Sequence, residues 1–171
     1  GLLISIILFA KIAFELSYDT WFPNSNRLYV IKMAWSEGGK AYAGSTLYPI
    51  GSTIQQHFPE MVENTTTLGD RTCTIGNGIK KQSETCFIVD STFFQTMEIP
   101  VLKGNITDLT QPDVLFISES LARDMFGEED PIGKTLSYSA FARKDVPFMV
   151  KGIYKDIPEN TTLHRPRVVV S

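Results

Sequence analysis

Two histidines, two cysteines and one glycine–lysine–threonine run hold most of the chemistry that this sequence could perform. His57 and His164 stand 107 positions apart, and no HExxH, CxxC or GxSxG pattern occurs. Two cysteines cannot form a zinc site by themselves, so the spacing predicts no metal centre. His57 is expected on a helix flank and His164 in a turn, neither with a catalytic role. The run Gly127-Glu128-Glu129-Asp130-Pro131-Ile132-Gly133-Lys134-Thr135 imitates a phosphate-binding loop, but five residues separate its glycines where that loop needs four. A phosphate cradle also needs successive backbone N–H groups ahead of a helix. Here Pro131 lacks its N–H, three acids would repel phosphate, and Leu136-Ser137-Tyr138 reads as a strand. No nucleotide site, catalytic residue or cofactor is expected.

Cys73 and Cys86 flank Gly76-Asn77-Gly78, a strong turn signal. They could face each other across a hairpin as a disulfide pair, or remain two small apolar side chains. A two-residue turn at Asn77-Gly78 would set Cys73 opposite Gln82, so a bridge requires a longer loop, reaching about Ser83. Closing a loop of that size would contribute about 3 kcal/mol in the chain-entropy model. An oxidising compartment would favour the bond.

The elements that must position these groups alternate along the chain. Tyr29, Ile31, Met33 and Trp35 recur at period two and predict a strand over 27–35, and Glu37-Gly38-Gly39-Lys40 then turns the chain. Ile50, Ile54 and Phe58 predict a short helix that Pro59 ends. A Thr-rich strand is expected over 61–68 and another over 85–89, and a second, smaller body should begin near Asp90. In that body a short helix carries Phe93, Phe94 and Met97, and Val114 to Ile117 is a buried strand. Ser118 should cap a helix presenting Leu121, Ala122, Met125 and Phe126, with Gly127 as its stop. Strands over 135–138, 148–157 and 167–170 complete the reading.

The first fourteen residues differ from the rest. Leu2 to Phe14 is an apolar run that Lys11 and Ser5 barely interrupt. Thirteen helical residues cover about 20 Å, short of a hydrocarbon core about 30 Å thick. The run reads as the outer end of a transmembrane helix or as a core helix of a soluble domain; a signal peptide fits less well, lacking a basic start and a small-x-small cleavage site. Its apolar residues surround nearly the whole helix, so it should hide them against another copy or against the domain itself. Over the whole chain, 43% hydrophobic content supports one sizeable core and a smaller second one. Sixteen basic and nineteen acidic residues leave a net charge of -3. The basic residues are scattered, so nucleic acid is excluded as a partner.

Several separate motifs then agree in order. Glu15-Leu16-Ser17-Tyr18-Asp19, Asn24-Ser25-Asn26-Arg27-Leu28-Tyr29, Val89-Asp90-Ser91-Thr92-Phe93-Phe94, Leu102-Lys103-Gly104, Ile117-Ser118-Glu119-Ser120-Leu121-Ala122, Phe126-Gly127, Asp130-Pro131-Ile132-Gly133-Lys134 and Val150-Lys151-Gly152-Ile153-Tyr154-Lys155-Asp156-Ile157-Pro158 follow one another along the sequence. Together, from about Glu15 to Pro158, they resemble the MacB-like periplasmic core domain of FtsX/MacB-type ABC transporter permeases. The resemblance implies an α+β fold: a porter-like α/β part with an inserted strand-rich lobe, preceded by the stub of a transmembrane helix. In residue numbers, it implies the helix end at 1–14, the porter-like part at 15–89, the inserted lobe at 90–157 and a return towards the porter-like part at 158–171, with further membrane spans after Ser171.

It also implies a function. Such a domain lies on the periplasmic side of the inner membrane and couples ATP hydrolysis to substrate export, lipoprotein extraction or partner regulation by mechanical transmission. The implied partners are a cytoplasmic ATP-binding domain or subunit, a second permease copy, the membrane, and a periplasmic adaptor or exported substrate. Two other classes fit the residues alone. A membrane-anchored extracytoplasmic ligand-sensing domain of a signalling receptor would also begin with an apolar helix and a mixed fold. A secreted enzyme would require a converging polar pocket, for which the sequence names no residues.

Overall fold

The structure is a computed structural model that describes residues 1–37 and 40–171; Gly38 and Gly39, where the sequence predicts a turn, lie outside them. The apolar run forms helix α1 (Leu2–Leu16), none of whose residues is buried. The domain therefore does not fold over this helix. An antiparallel pair follows, β1 (Met33–Glu37) and β2 (Lys40–Gly44), on which Trp35 and Tyr42 stack at 5.7 Å. Helix α2 (Ile50–His57) comes next, again without a buried residue. The strand expected from Arg27 begins only at Met33, where pairing with Gly44 starts, and Ser25–Arg27 is a 3₁₀ turn.

The rest of the chain builds one seven-stranded sheet. Its elements are β3 (Leu68–Gly76), β4 (Lys81–Val89), α3 (Phe93–Met97), β5 (Val101–Gly104), β6 (Val114–Ser118), α4 (Glu119–Phe126), β7 (Thr135–Ala140), β8 (Arg143–Tyr154) and β9 (Val168–Val170). The strand order is β5-β8-β6-β9-β4-β3-β7, and β7 pairs with β8 as well, so six of the strands close on themselves. The twelve-residue β8 makes this closure. Its first half pairs antiparallel with β7, from Ala140↔Arg143 to Thr135↔Met149, and its second half pairs parallel with β6, from Val114↔Met149 to Ser118↔Tyr154. Strand β5 hangs on the same second half. The pairings β4–β9 and β6–β8 are parallel and the others antiparallel.

Central strands buried on both faces read as continuous apolar runs, as β6 and β9 do. Period-two alternation then sorts their side chains between two cores. Leu115, Ile117, Val168, Val170, Cys86 and Cys73 join Leu121, Ala122 and Met125 of α4 in one cluster. Phe116, Val169 and Phe87 face the other way, into a cluster with Phe93, Phe94, Tyr154 and Phe22. Full burial of each Leu or Phe contributes roughly 1.5–3 kcal/mol. Helix α4 forms as its sequence predicts. The Ser118 hydroxyl accepts from the Leu121 N–H at 3.2 Å, Glu119 lies in the first turn, and Gly127 turns the chain out with φ +62°.

The boundary expected near Asp90 does not divide this sheet. β3 and β4, before it, pair with β7 and β9, after it, and both cores draw on both sides. The Thr-rich segment 61–68 is not a strand; pairing starts at Leu68. The reason lies in its threonines: the Thr66 hydroxyl and the Thr67 N–H are taken up by the Asp90 side chain instead of by a neighbouring strand. Val101–Gly104 is an edge strand that the sequence reading did not name.

Candidate functional site

The sequence-predicted groups do not converge. His57 ends α2 on the surface, and His164 sits exposed beside the Asp70 carboxylate, to which its Nδ1 bonds. Among the described residues, no three His, Cys, Asp or Glu side chains gather as a metal set. The Gly127–Thr135 segment begins as the exit of α4 and ends as the start of β7, so it leads into a strand and not a helix. Lys134 is engaged within the loop, paired with Glu129 and set 5.2 Å from the Phe126 ring centre. Two open clefts indent the surface. One, of about 390 Å³, is lined by Asp113, Thr135, Pro147, Met149 and Lys151; the other, of about 220 Å³, by Leu102, Lys103, Ala122, Arg123 and Ile153.

Cys73 and Cys86 are buried free thiols on adjacent strands. The hairpin between them closes through a four-residue loop, Asn77 to Lys80, in which the Asn77 side-chain oxygen accepts from the N–H groups of Ile79 and Lys80 at 3.0 and 2.8 Å. Gly76 therefore faces Lys81, and Cys73 faces Glu84, while Cys86 faces Arg71. The cysteines share a face but are offset by one diagonal step. Direct opposition would need a slip of two residues along the whole hairpin. Interaction with Cys86, with burial added, pushes the Cys73 thiol above its ordinary range. The Cys86 sulfur also lies 3.7 Å from the Tyr138 hydroxyl. Native protein prepared without reductant should thus resist alkylation at both positions and take up two labels once unfolded. A mass two hydrogens lighter, with no label after unfolding, would establish a bridge and a shifted hairpin register.

The densest polar constellation is one that the spacing of residues in sequence did not disclose. The turn after α1 meets the loop between β8 and β9, 143 positions later. Asn160 donates to the Ser17 carbonyl and hydroxyl, both at 2.9 Å, and its own carbonyl accepts from the Asp19 N–H at 2.9 Å. The Asp19 carboxylate in turn accepts from the Thr161 hydroxyl at 2.7 Å, the Thr162 N–H at 2.9 Å and the Thr162 hydroxyl at 2.7 Å. Asp19 adopts φ +58°, a left-handed conformation that aspartate tolerates better than most residues. Burial alone would raise its pKa, but the hydrogen bonds from Thr162 and Thr161 outweigh it and hold the carboxyl below its usual value. The sign follows: this contribution to stability is complete above the ordinary aspartate range, about pH 4, and is lost as the pH falls through the lower folded-state value. Three residues on, Phe22 enters the aromatic core; among the described residues it is the first buried one, and the next is Cys73. Asn24 adds a hydrogen bond to the Thr96 carbonyl at 2.9 Å.

A second aspartate does the same for residues 65–67. Asp90 accepts from the Thr66 hydroxyl at 2.8 Å and the Thr67 N–H at 2.7 Å, and the Thr92 hydroxyl lies 2.6 Å from both the Asp90 carboxylate and the Thr65 carbonyl, able to donate to either. At the opposite face of the sheet, Arg167 bridges Glu84 at 2.9 Å and Asp124, tying α4 to β4 and to the approach of β9. These constellations are built to hold segments together. They offer carboxylates and hydroxyls already occupied by one another.

The family model described as the MacB-like periplasmic core domain matches residues 1–171. No match was found among curated proteins. Among solved structures, the chain is similar to a domain assigned to a permease protein from Porphyromonas gingivalis, with 24% identity and a TM-score of 0.61. That similarity covers 81% of this chain and 59% of the other, so this chain spans less than two thirds of its length. The periplasmic region of MacB from Actinobacillus actinomycetemcomitans is 20% identical with a TM-score of 0.47, over 61% of this chain and 46% of that one. The extracellular domain of the noncanonic ABC-type transporter YknZ from Gram-positive bacteria is 17% identical with a TM-score of 0.47, over 61% and 52% respectively.

Proposed function

Because the chain belongs to the family of MacB-like periplasmic core domains, we propose that it works as the extracytoplasmic domain of an ABC transporter permease in the inner membrane. In this reading it performs no chemistry. It receives motion generated by ATP hydrolysis in a separate ATP-binding domain or subunit, and it applies that motion to an exported substrate, a lipoprotein or a periplasmic adaptor, working beside a second permease copy. The observation that carries the reading is the family match across the whole chain. Two features of the geometry support it. In the closed part of the sheet each strand pairs with a neighbour on either side, so displacing one strand breaks two ladders at once. Helix α1 presents large apolar side chains on all sides, with Leu2, Leu3, Ile4 and Phe9 at least 70% exposed, a surface suited to lipid or to a covering helix. At fifteen residues it covers about 22 Å, and no helix among the described residues is long and apolar enough to cross a membrane.

Protease added to spheroplasts of cells making the full-length protein tests the placement: residues 17–171 should be cut there, and protection in spheroplasts with cleavage only after lysis would overturn it. The division of labour has its own test. Titration of this domain with Mg-ATP should give no heat of binding, because Lys134 is paired within an acidic loop that precedes a strand. Micromolar affinity that disappears in Lys134→Ala would place nucleotide chemistry in the domain itself.

A further inference from the structure

We propose that the turn Ser17–Phe22 and the loop Asn160–Thr162 form one closed joint, which makes the end of α1 and the β8–β9 loop move as a single piece. The joint gives α1 a defined route into the sheet: the loop it grips leads to β9, which lies at the centre of the strand order between β6 and β4. Its role in passing force from α1 to the sheet rests on the reading of the chain as a force-transmitting permease domain; its closure does not.

The case rests on reciprocity and anchoring. Bonds run both ways between the two segments: Asn160 and Thr162 donate to the turn, while the Asp19 N–H donates to the loop. A single carboxylate receives three donors from two adjacent residues, so rotation of either segment breaks several bonds together. Hydrogen bonds to a charged acceptor are the stronger kind. Beneath them both segments enter one aromatic core, the turn through Phe22 and the loop through Ile157 and Leu163. By contrast, among the described residues none of β1, β2, α1 or α2 belongs to either core. Motion of α1 relative to the sheet is thereby directed into this joint.

Hydrogen exchange on the chain tests closure without nucleotide or transport. In Asp19→Ala, the amides of 161–163 should exchange at least tenfold faster than in the parent, while those of β6 and β8 keep their protection. Asp19→Asn, which retains the shape but loses the charge and one acceptor, should fall between. Asn160→Ala, made from the other side, should accelerate the Asp19 and Thr162 amides together. Unchanged exchange at 161–163 in Asp19→Ala would mean that the joint is open in solution. Acceleration in Asn160→Ala confined to the loop would mean two independent segments, and equal acceleration in β6 and β8 would reduce Asp19 to a general stabiliser; each of these overturns the proposal. The protease test of membrane placement can fail while the joint stands, and the joint can fail while that placement stands.

Discussion

Replacing Gly152 by alanine is expected to cost the fold about 3 kcal/mol or more, out of a total of about 5–15 for a domain of this kind. Gly152 lies opposite Phe116 where β8 runs beside β6, and a Cβ there would fall within the Phe116 ring. The ring cannot step aside. It is fully buried, with the Phe94 ring 5.1 Å away on one side and the sheet on the other. The register of β6 on β8 shifts between Leu115 and Phe116, so this is also where the parallel pairing adjusts itself. Urea unfolding should show a large loss of midpoint for Gly152→Ala and for Phe116→Leu a smaller one. The double variant should recover part of the loss, because the two substitutions address the same volume. A Gly152→Ala protein within about 1 kcal/mol of the parent would mean that the ring packs elsewhere.

What could be read in advance follows a physical division between local and long-range determinants. The unbroken run Val114 to Ile117, the Ser118 cap with Gly127 as stop, and the Val168–Val170 strand were legible because each is specified by its own residues. The misreading of Met61 to Leu68 has a different origin. Thr65 to Thr67 have strand propensity, but Asp90 and Thr92, about two dozen residues later, offer their polar groups a better partner. The cysteine register turned on a single side chain. Asn77 closes a four-residue loop by accepting two N–H groups, where its pairing with Gly78 suggested a two-residue turn, and that moves Cys73 from Gln82 to Glu84. The joint at Asp19 carries no local signature: Ser17, Asp19, Asn160 and Thr162 are ordinary turn residues, and only tertiary structure shows that they belong to one another. Strand pairing across Asp90 is likewise set by tertiary structure. A sheet whose order interleaves β9 between β6 and β4 cannot be cut at any one point of the sequence.

Truncating Phe94 to alanine should destabilise the chain by about 3–5 kcal/mol, the usual range for emptying an aromatic site in a core. Phe94 sits at the meeting point of the second cluster, with ring centres of Phe93, Phe116 and Tyr154 at 5.2, 5.1 and 5.5 Å. Such contacts contribute beyond area burial when rings meet edge-on or offset. The site has little room to collapse, because Tyr154 is held from the far side by its O–H, which donates to the Pro166 carbonyl at 2.9 Å. The loss should also be uneven. Phe22 lies in this cluster and Asn24 bonds to Thr96 of α3, so a void under α3 loosens the attachment of the turn after α1 before it reaches the Cys73–Ile75 side of the sheet. Hydrogen exchange on Phe94→Ala should accordingly speed residues 19–24 and 93–97 well ahead of β3 and β7. Phe94→Leu, which keeps most of the volume, should recover more than half of the lost stability. If Phe94→Ala instead loosens all seven strands in equal measure, the two cores melt as one, and the turn after α1 has no stability of its own to lose.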